Sequence, residues 1–336
     1  MAIIPYIKMK TCKYVYVLAS SANDTYYEQF LLSAASLRLY NPDSEIIVLV
    51  DAKTGDTLSG GRSGFKKYVS KTKIISVPPE FSQKEASRWI KTSIHHYVTG
   101  DFLFIDCDTV ITGDLASDFP HDIQAGAVLD THVTLDRHHI REIFQQEDVK
   151  AGFVSSLKTN IRYNGGLIFC KDAAPARQFF EKWHSLWLEG RKRGCTQDMP
   201  SLNQANYESG NIITELGGEW NCQISHNGLP YLSGAKIIHY YATSLISFEP
   251  AYTLASPEIF ASIKETGSLS SDILRLLEDP RSAFTDNSRI IADRASLDII
   301  DSGYFSKLLW LRRSHKKMFF SLSNLISKIK KPGKKK

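Results

Sequence analysis

The sequence predicts an α/β protein built on a doubly wound, mostly parallel sheet with helices on both faces. Apolar, β-rich segments alternate with helically spaced segments over roughly the first 110 residues. The segment EIIVLVD is apolar throughout, as in strands that are buried on both faces. Of the 336 residues, 43% are hydrophobic and 23% are charged, which excludes a disordered or collagen-like chain.

Four strands and two helices are predicted in the first half of the chain. The strands are residues 13–20, 45–51, 73–77 and 101–105, and the helices are residues 25–40 and 82–98. The first helix is expected to stop at Asn41-Pro42, and the third strand at Pro78-Pro79. Ligands of doubly wound sheets bind outside the carboxyl ends of the strands, so residues that follow each strand are the first site candidates.

The second half is less regular. Strands are predicted at 124–129, 163–170 and 236–242, and helices at 175–190 and 197–207. Residues 130–160 are polar and rich in histidine, which suggests an excursion of the chain over the site. From residue 256 onward the periodicity is helical.

The formal net charge of +5 conceals two opposite parts. Residues 305–336 hold eleven Lys and Arg and no acid, so the remaining 30 bases face 36 acids, a net charge of −6. An acidic body argues against nucleic acid as a partner. The basic tail favours an anionic membrane surface. Its apolar residues share one helical face: Met318, Phe319, Leu322, Leu325, Ile326 and Ile329. The alternative is a helix that packs on the body.

The cysteines and the amino terminus predict a cytoplasmic protein, and the basic tail predicts that it is peripheral at the inner face of the membrane. Five scattered cysteines show no zinc-binding spacing and are typical of a reduced compartment. No apolar run approaches the roughly 18 residues that a membrane span needs. The stretch from Tyr14 to Ala19, which faintly imitates a signal peptide, is interpreted as the first strand.

Asp106-Cys107-Asp108 directly follows the apolar strand FLFI. Side chains at i and i+2 leave a strand on the same side, and two adjacent carboxylates repel unless a proton or cation neutralises them. Oxygen ligands suit Mg²⁺ or Mn²⁺, which often share their coordination with phosphates. The competing explanation is one helix cap and one solvated loop acid.

Several other residues have both a functional and a structural interpretation. His239 is either a metal ligand or a hydrogen-bonded core residue, and nitrogen ligation would favour Mn²⁺. Arg88 and Lys91, at i and i+3, either neutralise a diphosphate or form a solvated face. Gly165 and Gly166 indicate a close ligand or a bulge. Asp198 is a candidate helix cap.

In this order, the segments resemble the metal-dependent nucleotide-sugar glycosyltransferases of the GT-A fold, and most closely glycosyltransferase family 8. The similarity covers roughly residues 13–245. It depends on seven segments: SSANDTYYEQFLLSAASLRLYNPDSEIIVLVD, SRWIKTSI, FLFIDCDTVITGDL, YNGGLIFC, QDMPSLN, EWN and IIHYYA. The resemblance implies a GT-A catalytic domain over 1–250, a helical subdomain over 251–304 and the basic tail over 305–336.

The resemblance also implies the site. The expected ligands of Mn²⁺ or Mg²⁺ are Asp106, Asp108 and His239. The expected donor contacts are Ser21, Asn23, Tyr26, Asp51, Arg88, Lys91, Asp106, Cys107, Asp108 and Gly165. Asn164 and Gly165 match the loop beside the transferred sugar, Arg88 the basic residue at the diphosphate, and Asp198 the acid near the anomeric carbon.

The implied activity is transfer of a hexose from a UDP-sugar to a saccharide or lipid-linked glycan acceptor, with retention at the anomeric carbon. This chain departs from the family pattern at two places. Met199 follows the acid where the family often has Gln, and residues 241–244 lack the usual Gly and Lys. Two alternatives are a non-catalytic, membrane-associated nucleotide-sugar binding protein and a sugar-phosphate nucleotidyltransferase. The latter would need a Gly-rich, basic loop, whereas SSANDTYY has neither Gly nor base.

Overall fold

The computed structural model describes residues 13–117, 122–138, 140–241, 252–285, 299 and 302–327. The strands are β1 (Lys13–Leu18), β2 (Glu45–Asp51), β3 (Lys71–Ile75), β4 (Phe102–Ile105), β5 (Thr109–Ile111), β6 (Ala125–Leu129), β7 (Tyr163–Cys170), β8 (Ile213–Glu215), β9 (Cys222–Gln223) and β10 (Ile237–His239).

The α-helices are α1 (Tyr26–Tyr40), α2 (Ala52–Thr57), α3 (Gln83–Thr92), α4 (Ile94–Tyr97), α5 (Arg141–Ala151), α6 (Ser155–Lys158), α7 (Ala174–Lys192), α8 (Met199–Glu208), α9 (Pro257–Thr266), α10 (Ser271–Glu278), α11 (Gly303–Ser314) and α12 (Lys316–Ser327).

The central sheet has seven strands in the order β3-β2-β1-β4-β7-β6-β8. Its strands pair in parallel except at β7, which is antiparallel to both of its neighbours. The mostly parallel sheet predicted from the sequence is therefore confirmed. A second sheet, β5-β10-β9, lies against its carboxyl edge, because β5 follows β4 after three residues.

Helices cover both faces of the central sheet, and β1 shows how the alternation of side chains divides the core. Tyr14, Tyr16 and Leu18 point into the cluster that contains Phe30 and Leu31 of α1. The intervening Val15 and Val17 lie in the opposite cluster, which includes side chains of α3 and α7. Both faces are apolar, which explains why the strands read as continuous apolar runs.

The structure corrects the predicted helix over 82–98 and the predicted last strand. The helix expected over 82–98 breaks into α3 and α4 at Ser93, whose hydroxyl donates to the backbone oxygen of Trp89 at 2.6 Å. A serine hydroxyl competes there with the backbone ladder of the helix. The last strand ends at His239 and not at 242, because Tyr241 adopts a positive φ of 51°.

The third strand is β3, at 71–75, two residues before its predicted place. Residues 130–160 contain α5 and α6, which the polar composition of this segment concealed. Residues 242–251 and most of 286–301 lie outside the described residues, so the helical pattern predicted for the latter is not described.

The carboxyl-terminal helices fall into two groups. Phe260 and Ile263 of α9, and Ile273 and Leu277 of α10, belong to the core cluster that also holds α1. In α12, the side chains of Met318, Leu322, Leu325 and Ile326 are exposed. Ile329, from the predicted apolar face, lies outside the described residues. Within the described ranges, every helix is too short or too polar to cross a membrane.

Candidate functional site

Two acids and a histidine meet where the two sheets join. Asp106 follows the end of β4, and its backbone N–H donates to the Gly166 oxygen at 2.8 Å. Asp108 precedes β5, where Thr109 pairs with His239 of β10. One ligand atom from each of Asp106, Asp108 and His239 lies within 4.8 Å of the others. The structure thus brings together the three residues expected to bind a metal.

The charges of this cluster are coupled. His239 Nε2 lies 3.2 Å from Asp108 Oδ1. Burial raises the pKa of Asp108, but the charge and hydrogen bond of His239 outweigh burial and hold that pKa below its usual value. Burial raises the pKa of Asp106, and the nearby charge of Lys91 offsets this only in part. Two acids this close need positive charge, which the protein itself supplies incompletely.

A chain of amides orients the imidazole of His239. Asn221 Nδ2 donates to Asn164 Oδ1 at 3.0 Å, so Asn221 Oδ1 is the atom that faces His239 Nδ1, at 2.9 Å. With Nδ1–H donating to this oxygen, Nε2 is the nitrogen that faces Asp108. When protonated it donates to that carboxylate, and when neutral it presents the lone pair that a metal ion would need. Metal-binding histidines are usually oriented by such a second hydrogen bond.

The two glycines of β7 allow these groups to approach the strand. A Cβ at Gly166 would lie 2.5 Å from His239 Cε1 and 2.9 Å from Asn164 Oδ1. A Cβ at Gly165 would lie 3.2 Å from Asp198 Oδ2 and 3.3 Å from Lys91 Nζ. A methyl group at Gly166 would collide with His239, and one at Gly165 would crowd Asp198 and Lys91. The two glycines are therefore explained by the close approach of site residues to the strand and not only by a bulge.

Arg88 and Lys91 of α3 point toward the site and form ion pairs with Asp198. Lys91 Nζ lies 2.7 Å from Asp198 Oδ2 and 3.4 Å from Asp106 Oδ1. Arg88 Nε lies 3.4 Å from Asp198 Oδ1. The Lys91 side chain is only 4% exposed. The alternative of a solvated charged face is therefore wrong for Lys91.

Asp198 is the N-cap residue of α8, yet its carboxylate does not cap the helix. Its side chain makes no capping hydrogen bond to the first turn of α8, all of which the structure describes. Burial raises the pKa of Asp198, but Lys91 and Arg88 outweigh burial and hold the pKa well below its usual range. Asp198 is an anion beside Gly165, where Met199 also lies.

The turn after β1 holds the residues expected at the nucleoside. Ser21 is half-buried, and Asn23 and Tyr26 are exposed. Asp24 organises the turn, because it accepts hydrogen bonds from the backbone N–H groups of Ser21 and Tyr26 at 2.7 and 3.0 Å. Sequence reasoning missed Asp24, although an acid between Ser and Thr in a loop is a signal for such a turn.

Two further predicted donor contacts lie at the same sheet edge. Asp51 ends β2 and caps α2, with Oδ1 accepting from Thr54 N at 3.3 Å. Cys107 lies between the two acids, and its thiol contacts the Val17 oxygen at 3.4 Å. Asp51 thus has a structural role as the cap of α2. The position of Cys107 follows from its place in the sequence between Asp106 and Asp108.

A buried polar network next to His239 was not predicted. Tyr241 stacks on the His239 ring at 4.0 Å, and its hydroxyl donates to Gln223 Oε1 at 2.7 Å. Asn164 Nδ2 donates to this hydroxyl at 2.8 Å and to Asp130 Oδ1 at 3.0 Å. These residues come from four distant segments, and no local pattern connects them.

The arrangement has the chemistry of an anion-binding and cation-binding cleft. Carboxylates and an imidazole suit a divalent cation, and Arg88 presents a guanidinium to the same cleft. The buried amide of Asn164 connects this cluster to the Asp130 carboxylate through a hydrogen bond of 3.0 Å. Such a site is suited to a phosphorylated, hydroxyl-rich ligand.

Comparisons with known proteins identify the fold. The galactosyltransferase LgtC, solved in complex with donor and acceptor sugar analogs, matches with a TM-score of 0.51 and 16% identity over 77% of this chain and 98% of LgtC. An active-site mutant of LgtC matches with a TM-score of 0.51 and 15% identity over the same shares. Mouse xyloside xylosyltransferase 1, in the apo form, gives a TM-score of 0.45 and 13% identity over 68% of this chain and 97% of its own.

The likeness to LgtC confirms the predicted fold class, and the chain has the GT-A fold. At the level of sequence, no family model matches the chain, and no curated protein matches it significantly. The finer placement in glycosyltransferase family 8 stays a prediction. The roles of the site residues are therefore argued below from their own geometry.

Proposed function

We propose that this chain is a metal-dependent glycosyltransferase that transfers a hexose from a UDP-sugar to a saccharide or lipid-linked glycan, with retention at the anomeric carbon. The observation that carries the proposal is the meeting of Asp106, Asp108 and His239 with Arg88, Lys91 and Asp198 at one sheet edge. LgtC, which has the same fold, was solved with donor and acceptor sugar analogs.

The charges of the site argue for a divalent cation. Asp106, Asp108 and Asp198 are three acids against two fixed cations, Arg88 and Lys91, which leaves one net negative charge when His239 is neutral. A diphosphate brings further negative charge into the same cleft. A divalent cation reverses the sign of the site, so donor binding should require it.

Asp106, Asp108 and His239 fit such a cation, because their ligand atoms already converge and the His239 ring is held by Asn221. Two oxygens and one imidazole nitrogen suit Mn²⁺ better than Mg²⁺. When bound, the metal supplies Lewis-acid stabilisation of the diphosphate. Metal release on chelation should therefore stop turnover without unfolding the chain.

The remaining residues act on the reacting groups. In the transfer step the bond from C1 to the diphosphate oxygen breaks and its electron pair stays on UDP. An acceptor hydroxyl oxygen bonds to C1, and the proton of that hydroxyl passes to the released diphosphate. Arg88 stabilises the charge that grows on the leaving diphosphate. Asp198, kept ionised by Lys91, faces the positive charge that develops at C1. Asn164 precedes Gly165 at the expected position of the sugar, and its amide, bonded to Asp130 and Asn221, fixes the shape of the site there.

The nucleoside half of the donor would bind at the turn after β1. Hydrogen bonds to Asp24 fix the backbone of this turn. Ser21, Asn23 and Tyr26 would therefore contact the nucleoside from fixed positions. Asp51 and Cys107 border the same edge. Arg62 donates to the Ser20 hydroxyl at 2.6 Å and adds a positive charge near this turn.

The tail would hold the enzyme at the inner, anionic face of a membrane. Five apolar side chains of α12 are exposed, and basic residues lie on either side of them in the sequence. A basic amphipathic helix of this kind binds in the membrane interface. A lipid-linked acceptor would then meet the active site at the membrane surface.

The decisive experiment measures release of free UDP from a panel of UDP-sugars, with Mn²⁺ and with EDTA. Wild type is compared with Asp108→Ala and with Asp43→Ala, an exposed acid that serves as the matched control. Release from one donor, dependent on Mn²⁺ and lost only in Asp108→Ala, is the expected result. Release that ignores both EDTA and the Asp108 change would overturn the metal assignment.

If no donor releases UDP, the chain is either a transferase that requires its acceptor or a nucleotide-sugar binding protein. Calorimetry of UDP binding, combined with turnover assays on acceptors, distinguishes the two. UDP that binds with Mn²⁺, together with no turnover across a panel of saccharide and glycolipid acceptors, would indicate a binding protein. UDP that does not bind at all would overturn the nucleotide-sugar proposal.

A further inference from the structure

A second group of metal-binding side chains lies on the helices that precede β4. His95 and His96 belong to α4, and Glu181 lies on the exposed side of α7. One ligand atom from each lies within 4.8 Å of the others. Because α4 precedes β4 and Asp106 follows it, the two clusters lie toward opposite ends of that strand.

The distances suit one small metal ion. His95 Nε2 lies 2.9 Å and His96 Nε2 lies 3.6 Å from Oε1 of Glu181. In a tetrahedral zinc site with bonds of about 2.0–2.1 Å, neighbouring ligand atoms are about 3.3 Å apart. The two observed distances lie on either side of that value, and all three ligand atoms lie within 4.8 Å of one another. Binding would require the two imidazole rings to turn apart until both nitrogens point at the ion.

The buried imidazole of His95 is only partly satisfied. The His95 side chain is 4% exposed, its Nε2 lies 2.9 Å from Glu181 without good hydrogen-bond geometry, and its Nδ1 has no hydrogen bond to any residue that the structure describes. A buried ring nitrogen left without a hydrogen bond is costly. The His96 ring lies 3.9 Å from the His95 ring, which holds both rings beside the same carboxylate.

We propose that His95, His96 and Glu181 form a zinc-type metal site, separate from the Asp106–Asp108–His239 cluster. Two imidazoles and one carboxylate are a ligand set found in zinc proteins, and they leave the fourth position open. His96 and Glu181 are 45% and 55% exposed, so the metal and a water molecule can reach the site from solvent. This inference does not depend on the proposed transferase activity.

The test uses the full chain with the first cluster disabled by Asp106→Asn and Asp108→Asn. Zinc binding to this background is measured by competition with a chromophoric chelator. His96→Asn and Glu181→Gln are then added separately. Glu189→Gln, an exposed acid on the same helix, is the matched control. His96→Asn and Glu181→Gln change none of the residues assigned to catalysis.

We expect one equivalent of Zn²⁺ on the background and on the Glu189→Gln control. His96→Asn and Glu181→Gln should each weaken binding at least tenfold. Co²⁺ in place of Zn²⁺ should give the visible absorption of a four-coordinate site only when His96 and Glu181 are present. In the otherwise wild-type chain, both variants should keep wild-type unfolding in EDTA, which separates lost ligation from lost folding.

Two outcomes would overturn the proposal. One is a background that binds no zinc, which would reduce the cluster to a histidine–carboxylate pair. The other is equal zinc affinity in the background, His96→Asn and Glu181→Gln, which would place the metal elsewhere. Neither outcome affects the Mn²⁺-dependent release of UDP, so the two proposals fail separately.

Discussion

Lys91 and Asp198 form a buried ion pair, with Nζ 2.7 Å from Oδ2 and side chains only 4% and 6% exposed. Buried pairs of this kind are costly to desolvate and strongly destabilising to break on one side. The position of this pair beside Gly165 and Asp106 indicates a role in the reaction and not in stability alone.

Breaking the pair should separate folding from catalysis. Lys91→Met leaves Asp198 with Arg88 alone and should lower the free energy of unfolding by about 3 kcal/mol, because a buried charge loses its nearest partner. Adding Asp198→Leu should restore only part of that stability, since two apolar side chains then replace the pair but Arg88 loses its partner Asp198. Donor turnover should be lost in both variants. Urea unfolding and UDP release measure the two effects, and a double variant that transfers sugar normally would exclude a role for the pair in the reaction.

Gly166→Ala should displace the metal ligand His239. The new methyl group would meet His239 Cε1 at 2.5 Å and force the ring away from Asp108. We expect Mn²⁺ affinity to fall at least tenfold, in line with other losses of ligand orientation. The free energy of unfolding should fall by about 1–3 kcal/mol, as for overpacked cores.

Gly234→Ala is the control, because no described atom lies within 4 Å of the position its Cβ would take. Calorimetric titration with Mn²⁺ compares the two variants. Unchanged Mn²⁺ affinity in Gly166→Ala would show that His239 does not hold the ion.

His132 should make the fold sensitive to mild acid. Its Nε2 accepts the backbone N–H of Gln223 at 3.1 Å, which requires the neutral ring. Burial lowers the pKa of His132 to about 4, while Asp130 opposes this shift and His226 and His239 add to it. The unfolded chain takes up this proton near pH 6.5. Stability should therefore decrease as pH falls from 6.5 toward 4.

His132→Asn removes the titrating ring, and asparagine tolerates the positive φ of 57° at this position. Urea unfolding at pH 7.5, 6.0 and 5.0, in EDTA, should show a smaller loss of stability in this variant than in wild type. His315→Asn, at an exposed histidine, should keep the wild-type slope. Parallel slopes in all three proteins would assign the acid sensitivity to other groups.

The tail should bind anionic vesicles through the exposed face of α12. Leu325→Ser combined with Ile326→Ser removes two of its most exposed apolar side chains, at 64% and 56% exposure. Cosedimentation with phosphatidylglycerol-containing vesicles should fall as far as it does on deletion of residues 305–336.

Leu274→Ser, at an exposed leucine of α10, should bind vesicles like wild type. Neutral phosphatidylcholine vesicles should bind the full chain weakly, because the basic residues contribute only at an anionic surface. A truncated chain that binds as well as wild type would remove the membrane from the proposal.

The local pattern was sufficient for the strands that carry the site. Continuous apolar runs predicted β2 and β4, and the position of Asp106 and Asp108 after β4 follows from that run alone. The three-residue β5 and β8 were missed, because segments so short carry no period of their own. The break at Ser93 was missed because a serine in a helix is common and its backbone contact is visible only in three dimensions.

What the sequence by itself determined is the fold class, the sheet edge and the residue types available there, since burial and alternation act over a few neighbouring residues. The tertiary structure decided which of those residues meet. It placed His239 beside Asp108 across more than a hundred residues, turned Asp198 from a helix cap into the partner of Lys91, and brought His95 and His96 to Glu181. These contacts depend on how sheets and helices pack, and such packing is a property of the whole core that no local spacing records.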